Sequence, residues 1–238
     1  MNLDSQTYQD LSQKIIGIGF KDVNLLKTAF THCSYLNEHK RSSLENNERL
    51  EFLGDAVLEI IVTDYLYRNY QHPEGILTNW RASLVRTESL ASVARKLHFL
   101  DYLRVSKGER KSSQRAQEQI LANVFEAVIG AIYLDQGYQA ADNFIQEYII
   151  SLLPAILEEG TWIDAKTRFQ EHIQMTQNQT PIYRILNEDG PDHNKTFLVG
   201  VYVEDKLCGK GQGYSKQAAA QKAAQVALDK LNIKPVSL

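Results

Sequence analysis

The sequence contains only two cysteines among its 238 residues, Cys33 and Cys208. They lie far apart along the chain, whereas small secreted domains that depend on disulfides carry several cysteines at short spacings. The cysteine content therefore argues against a disulfide framework. We expect a protein that folds in a reducing compartment, of which the cytoplasm is the simplest example.

Long apolar segments are also missing. No run reaches the roughly 18 apolar residues that a membrane-spanning helix needs. The first ten residues, MNLDSQTYQD, are polar and carry acids, which is unlike a signal peptide. A chain of 238 residues has room for one large domain or two modest ones.

Positive charge is not in excess, since 26 Lys and Arg stand against 29 Asp and Glu and the net charge is −3. The first 158 residues carry sixteen basic and twenty acidic side chains, and the rest carries ten and nine. Neither part is a polycation. Any binding to nucleic acid must therefore depend on local basic clusters, and we expect it to be modest and strongly salt-dependent.

The stretch NERLEFLGDAVL, residues 47–58, combines acids with an apolar background. Glu48, Glu51 and Asp55 are spaced at i, i+3 and i+7, which places them on one face of a helix. Partly buried carboxylates need a cation or hydrogen-bond donors, and a face lined with oxygens suits the hard cation Mg²⁺. The same spacing also fits a solvated acidic face on an ordinary amphipathic helix, so both interpretations stay open here.

A second apolar segment, ILANVFEAVIGAIYL at residues 120–134, contains one ionisable carboxylate, Glu126, with Asn123 one turn before it. This composition predicts a buried helix, in which a lone Glu should have a raised pKa or a partner. One interpretation is that the two side chains face the acids of the first segment and complete a metal site across a helix pair. The other is that Glu126 reaches solvent or is neutralised by Arg49 or Arg81.

The pattern of apolar residues divides the chain in two. Residues 1–158 are predicted to form a mainly helical domain, with helices at Tyr8–Ile16, Asn24–Thr31, Leu50–Tyr70, Leu77–Leu97, Glu118–Leu134 and Asn143–Leu157. Residues 163–233 predict an α-β-β-β-α unit, with elements at Lys166–Gln177, Ile182–Asn187, Thr196–Glu204, Lys206–Gly213 and Ser215–Leu231. The predicted fold class is a mainly α domain followed by an α+β domain. The basic segment Lys107–Arg115 is predicted to be a loop.

The two acidic segments together carry a resemblance to a known family. NERLEFLGDAVL resembles the signature of the ribonuclease III family, and ILANVFEAVIGAIYLDQG resembles that family's second acidic helix, in the same order. The resemblance implies Mg²⁺-dependent hydrolysis of double-stranded RNA, with Mn²⁺ able to replace Mg²⁺. It further implies action on structured precursors such as ribosomal, messenger and transfer RNA.

The resemblance also implies roles for individual residues of this chain. Glu51 and Glu126 would bind the metal ion, and Asn123 would add a direct or water-mediated contact. Asp55, with Glu126, would be catalytic, because Asp55 would orient or deprotonate the attacking water. Glu48 would support the dimer or the periphery of the site. Asn123 departs from the family, which usually has Asp there, so weaker metal affinity is expected.

The C-terminal unit resembles a double-stranded-RNA-binding domain through AKTRFQEHIQ, GPDHNKTFLVGVYV and GKGQGYSKQAAAQKAA. By this resemblance, Gln170 and Glu171 would meet 2′-hydroxyls in one minor groove of the RNA and His193 would meet a second groove. Lys216, at the start of the last helix, would contact phosphate. The family often carries further lysines just after this position, whereas this chain continues with glutamine and alanine. We therefore expect weaker binding to the phosphates of RNA.

Dimerisation is likewise implied by the resemblance. Apolar helices that contain Phe52, Trp80 and Leu84 offer more apolar surface than one small bundle would hide. Two-fold homodimers are the common way to bury such surface. A monomeric bundle that buries all three side chains remains the alternative. The expected partners are therefore double-stranded RNA and a second copy of the chain, with no membrane.

Two other functional classes compete with the nuclease. One is a weakened or inactive nuclease that binds double-stranded RNA without cutting it. The other is a purely structural helical scaffold. The scaffold leaves the acids Glu51, Asp55 and Glu126 unexplained and is therefore disfavoured.

Overall fold

The computed structural model of the protein describes residues 4–40, 44–159, 165–190 and 195–233. The chain forms two compact units, Met1–Ala155 and Ile156–Leu238. The first unit is helical and the second is α-β-β-β-α, so the predicted fold class is confirmed. Within the described ranges, none of the helices has the length and apolarity needed to cross a membrane.

Ten helices precede the C-terminal α-β-β-β-α unit in the described part of the chain. They are α1 (Ser5–Leu11), α2 (Val23–Ala29), α3 (Cys33–Glu38), α4 (Glu48–Asn69), α5 (Glu74–Val85), α6 (Thr87–Lys96), α7 (Phe99–Tyr102), α8 (Gln114–Gln136), α9 (Tyr138–Tyr148) and α10 (Leu153–Glu159). A π-helical turn extends α1 over Ser12–Ile16, and 3₁₀ turns lie at Glu109–Lys111 and Ile150–Leu152. The boundary between the two units falls inside α10.

The prediction of one continuous helix over Leu77–Leu97 was wrong, because the chain breaks at Arg86. This residue has φ −64° and ψ 151°, an extended conformation between α5 and α6. The hydroxyl of Ser89 donates to the carbonyl oxygen of Ser83 at 2.9 Å. In a continuous helix that carbonyl oxygen would accept a hydrogen bond from a backbone N–H one turn later. The hydroxyl of Ser89 takes the place of this backbone donor, and the helix ends.

The predicted helix Asn143–Leu157 was also misplaced. Gly137 has a φ of +84° and separates α8 from α9, which starts at Tyr138 and ends at Tyr148. A new helix, α10, begins at Leu153, immediately before Pro154. Proline is tolerated in the first turn of a helix but cannot lie in its interior, because it has no N–H to donate. The spacing of apolar residues alone predicts neither of these helix breaks.

Helices α4 and α8 pack against each other in the centre of the first unit, and two glycines allow their backbones to touch. A Cβ atom on Gly54 would lie 1.8 Å from the carbonyl oxygen of Glu126, and one on Gly130 would lie 2.3 Å from the carbonyl oxygen of Leu50. Any larger residue would force the helices apart. The contact therefore fixes the acidic segment of α4 directly beside the turn of α8 that carries Glu126.

The second unit consists of α11 (Ala165–Gln177), β1 (Ile182–Asp189), β2 (Thr196–Val203), β3 (Lys206–Gly213) and α12 (Lys216–Lys230). The strands form one antiparallel sheet in the order β1-β2-β3, with an irregular register between Ile185 and Asn187. Glu204, at the turn between β2 and β3, has a φ of +52°. The core lies where the helices pack against the sheet and contains Phe169, Ile173, Val201, Ala223, Ala227 and Leu228.

Candidate functional site

The four oxygen-bearing residues predicted to share a site come from the two central helices. Glu51 and Asp55 lie on α4, and Asn123 and Glu126 lie on α8. Burial raises the pKa of Glu126 to about 8, and the negative charges of Asp55 and Glu51 contribute to the rise. The structure therefore brings the acids of both segments close enough for their charges to interact.

The side chain of Glu51 depends on Asn123. Burial raises the pKa of Glu51, a hydrogen bond from Asn123 lowers it, and the charges of Glu48 and Asp55 raise it again. Gln119, one turn earlier on α8, donates through Nε2 to Oδ1 of Asn123 at 2.8 Å. The oxygen of Asn123 thus faces Gln119. Because the carboxylate of Glu51 can only accept, the amide nitrogen of Asn123 is the donor to Glu51.

The arginine alternative finds no support in the position of Arg81. Its Nε lies 3.1 Å from Oε2 of Glu59, and its Nη1 donates to the hydroxyl of Thr63 at 2.9 Å. Arg81 is therefore engaged further along α4. Among the described residues, the charges that shift the pKa of Glu126 are those of Asp55 and Glu51, and both are negative.

The donor set fits a hard divalent cation. The interacting carboxylates of Glu51, Asp55 and Glu126 lie where two helices meet, and oxygen ligands are those that Mg²⁺ prefers. The oxygen of Asn123 would join them when its amide group turns away from Gln119. Across the described ranges, however, no group of three or more His, Cys, Asp or Glu side chains is arranged to hold a metal ion. Mg²⁺ keeps several waters and is commonly bound by one or two carboxylates together with substrate phosphates, so a site at these acids does not require three protein ligands already in place. The shared negative charge is the more direct indication.

Glu48 is the first residue of α4, one turn before Glu51, whose pKa its charge helps to raise. It is exposed, and it lies beside Cys33 of α3, whose thiol pKa is raised by burial and by the charge of Glu48. The thiol in turn lies 3.9 Å from Nε2 of His32. Sequence reasoning missed Cys33 and Gln119 as neighbours of the acids. For Gln119 a signal existed, since it lies four residues before Asn123 on the same helix.

The residues predicted to contact RNA lie on separate elements of the second unit. Gln170 and Glu171 are exposed on α11, and Lys216 is exposed at the first residue of α12. Ser215 caps this helix by accepting from the backbone N–H of Ala218. His193 lies outside the described residues. Lys216 does not point freely to solvent, because its Nζ lies 3.6 Å from Oε1 of Glu188.

The two positions at which the family's further lysines are absent differ in exposure. Gln217 is exposed, whereas Ala220 is only 6% exposed and packs in a small cluster with Val199 and Ala219. Ala220 therefore contributes to the core and not to the charged surface. Sequence reasoning also missed Glu188, because no local spacing links a residue of β1 to the start of α12.

The apolar residues predicted to support a dimer have different environments. Trp80 and Leu84 are fully buried within the first unit, so their predicted contribution to an exposed apolar surface was wrong. Phe52 is 82% exposed in the middle of the acidic segment of α4. The ring is therefore accessible to a partner.

Comparison with family models matches both units of the chain. Residues 22–153 match a model described as Ribonuclease-III-like, and residues 165–231 match the double-stranded RNA binding motif. Together the two matches cover most of the chain and lie on either side of the boundary between its compact units.

Curated relatives extend the similarity over nearly the whole chain. Ribonuclease 3 of Enterococcus faecalis is 46% identical over 230 residues, which cover 95% of this chain and 98% of that protein. Ribonuclease 3 of Streptococcus gordonii is 47% identical over 218 residues, which cover 91% and 93%. Among solved structures, the nuclease domain of ribonuclease III from Campylobacter jejuni has a TM-score of 0.54 and 37% identity. It covers 61% of this chain and 98% of that one, and its region involved in dimer formation shows structural flexibility.

Proposed function

The chain belongs to the ribonuclease III family and is an endoribonuclease that cleaves double-stranded RNA; from this premise we propose that the cleavage depends on Mg²⁺ held between α4 and α8. The observation that carries the proposal is the position of Glu126. Burial and the negative charges of Asp55 and Glu51 raise the pKa of its carboxyl group to about 8. Three acids gathered in this way are costly without a cation.

We assign the metal-binding role to Glu51, Glu126 and Asn123, and the catalytic role to Asp55 together with Glu126. When bound, Mg²⁺ would lower the pKa of a water molecule and neutralise charge on the phosphate. Asp55 is the more exposed acid of the cluster and can accept a proton from a water molecule that approaches with the RNA. The oxygen of that water forms a bond to phosphorus while the bond to the leaving sugar oxygen breaks. Glu48 has a supporting role at the edge of the site.

The direct test is the metal dependence of duplex cleavage by the purified protein. A long duplex RNA is incubated with the protein in EDTA, and then with Mg²⁺ or Mn²⁺ at millimolar concentration. We expect no product in EDTA and cleavage with either ion. Cleavage that continues in EDTA would show that the reaction does not depend on a divalent metal ion. An intact duplex under every condition would favour the competing role of a protein that binds RNA without cutting it.

Changing Asn123 to Asp tests whether this residue faces the metal. Asp supplies a charged oxygen in place of a neutral one, and it can no longer donate to Glu51. The Mg²⁺ concentration for half-maximal cleavage should fall by about three- to ten-fold, while metal-free protein should lose stability. Both are measured by titrating Mg²⁺ into a cleavage assay and into a thermal unfolding assay.

Asn143→Asp is the matched control for this substitution. Asn143 also accepts a hydrogen bond from a glutamine four residues earlier, Gln139, at 3.1 Å, but it lies exposed on α9. The same change of charge there should leave the Mg²⁺ dependence unaltered. Equal Mg²⁺ dependence in Asn123→Asp and wild type would place Asn123 outside the metal site.

We propose that residues 1–158 form the nuclease domain and residues 163–233 the RNA-binding domain. Support comes from the compact units that divide after Ala155 and from the family matches at 22–153 and 165–231. In the second domain we assign minor-groove contacts to Gln170, Glu171 and His193, and a phosphate contact to Lys216. Domains of this kind recognise the A-form duplex by its shape and its 2′-hydroxyls.

We further propose that the protein is a homodimer and that Phe52 lies in its interface. A ring that is 82% exposed on the helix bearing the active-site acids is best hidden by a second copy, because two-fold interfaces reuse the same patch on both chains. The solved nuclease domain from Campylobacter jejuni has a region involved in dimer formation, which supports the homodimer.

Replacing Phe52 with Ser should weaken the dimer by about 30-fold or more in Kd, as expected for a large aromatic anchor. Sedimentation measurements over a range of concentrations give the monomer–dimer equilibrium, and circular dichroism confirms that the helices remain. Met175→Ser is the control, because Met175 is 87% exposed but lies in the other unit. A dimer that is equally stable in both variants would exclude Phe52 from the interface.

The expected biological substrates are structured precursors such as ribosomal and messenger RNA, and we propose that the protein acts on them in the cytoplasm. Support comes from the combination of a duplex-cleaving domain with a shape-reading domain, which selects folded RNA over single strands. Sequencing of RNA from cells depleted of the protein should show unprocessed precursors with intact helical stems.

A further inference from the structure

Three charged side chains meet at one end of the sheet in the second unit. Oε2 of Glu188 lies 3.1 Å from Nζ of Lys195, and Oε1 of the same carboxylate lies 3.6 Å from Nζ of Lys216. One carboxylate thus holds two ammonium groups, one on each oxygen. Lys216 has a further contact, since its Nζ lies 5.6 Å from the centre of the Phe197 ring.

The fold creates this arrangement from three separate elements. Glu188 is near the end of β1 and pairs with Phe197 of β2, while Lys195 directly precedes β2. Lys216 opens α12. The two lysines together lower the pKa of Glu188, so the carboxylate is charged and the ion pairs are formed at neutral pH. All three side chains remain partly exposed, which leaves the ammonium groups within reach of an external anion.

We propose that Glu188 limits the affinity of the protein for double-stranded RNA by occupying, as an internal oxyanion, the place of a phosphate between Lys195 and Lys216. The inference rests on the proposed phosphate contact of Lys216. A carboxylate and a phosphate both accept charge-assisted hydrogen bonds from lysine, so a lysine already paired with Glu188 gains less from a phosphate than a free lysine would. Phosphates of the RNA therefore compete with Glu188 for both lysines.

This arrangement has two measurable consequences. Removal of the carboxylate should tighten RNA binding by about two- to ten-fold at 0.1 M salt, because exposed ion pairs are individually weak. It should also steepen the salt dependence, because each lysine that becomes free to neutralise a phosphate releases counterions condensed on the RNA. The slope of log K against log salt should become more negative by up to about 0.9 for each lysine released.

The experiment compares Glu188→Gln with wild type as the full chain, in EDTA so that no RNA is cut. Binding to a fluorescent duplex of about 30 base pairs is followed by anisotropy at several KCl concentrations. Asp205→Asn is the matched control, because it removes the same charge from the same unit. Asp205 lies at the turn between β2 and β3, is 97% exposed in its side chain and pairs with Arg184 at 3.5 Å. We expect less than two-fold tightening in the control.

Further variants separate this inference from the proposed role of Lys216. Lys216→Ala should weaken binding, and adding Glu188→Gln to a Lys195→Ala, Lys216→Ala background should change nothing. If Lys216→Ala binds RNA as wild type does, the phosphate contact itself is wrong. If Lys216→Ala weakens binding but Glu188→Gln has no effect, only the role of Glu188 fails. Equal tightening of RNA binding in Glu188→Gln and Asp205→Asn would mean that the loss of any negative charge from this unit weakens its repulsion of RNA. That result would overturn the inference.

Discussion

Glu126→Gln is expected to abolish cleavage of duplex RNA while the protein continues to bind the duplex. Gln keeps the size of the side chain but removes the negative charge that would hold the cation beside Glu51 and Asp55. Loss of a charged group at the reacting centre of an enzyme commonly costs about 10³-fold or more in rate. Single-turnover cleavage and a gel shift on the same RNA measure the two activities separately.

Glu118→Gln provides the control for this variant. Glu118 is on the same helix, two turns earlier, where its Oε1 pairs with Nη2 of Arg95 at 3.1 Å outside the acid cluster. The identical chemical change there should leave cleavage within a few-fold of wild type. If Glu126→Gln cleaved as well as Glu118→Gln, the active site would have to lie elsewhere.

The same substitution should change how the stability of metal-free protein depends on pH. The pKa of Glu126 is about 8 in the folded protein, against an ordinary value of 4.5. The folded state therefore holds this proton more tightly than the unfolded state. The resulting stabilisation is complete below about pH 4.5 and is lost as the pH rises through 8.

Urea unfolding in EDTA at pH 6 and pH 9 measures this effect. Wild type should lose about 1–2 kcal/mol relative to Glu126→Gln over this range, less than the full shift implies because water screens a partly exposed carboxylate. Added Mg²⁺ should restore the stability of wild type at pH 9 and have little effect on the variant. If the free energies of unfolding of the two proteins changed with pH in parallel, the pKa of Glu126 would not be raised in the folded state.

Gly54→Ala is expected to destabilise the first unit by about 3 kcal/mol or more. The added Cβ would lie 1.8 Å from the carbonyl oxygen of Glu126, 2.6 Å from its carbonyl carbon and 2.9 Å from the backbone nitrogen of Gly130. These are backbone atoms of a buried helix, and they cannot swing aside as a side chain can. The helices must separate, which also moves Asp55 away from Glu126.

Gly75→Ala is the matched control for this prediction. Gly75 also lies in a helix, α5, but a Cβ there would meet no atom within 4 Å. Ala is the better helix former, so this variant should be as stable as wild type or up to about 1 kcal/mol more stable. Both are measured by urea unfolding. A Gly54→Ala protein that unfolded at the wild-type urea concentration would show that α4 and α8 are not in backbone contact.

Local sequence patterns predicted the elements that carry the chemistry. The apolar runs around the acids of residues 47–58 and around Glu126 are long enough to indicate helices, and α4 and α8 are found there. The alternation of residues after 180 predicted the three strands. Breaks such as Arg86 were missed, because they depend on a single side-chain bond from Ser89 that leaves the apolar period unchanged.

The sequence by itself determined that two apolar helices carry oxygen donors, that an α-β-β-β-α unit follows them, and that Asn123 replaces an expected acid. These features are local, because they depend on spacing within one or two helical turns. Only the tertiary structure decided that Glu126 meets Asp55, that Phe52 is exposed while Trp80 is buried, and that Glu188 holds Lys216. The reason is that such contacts join residues far apart in the chain, and close packing selects them. Glycines that let two backbones touch, and strands that bring a carboxylate to a helix end, have no periodic signature.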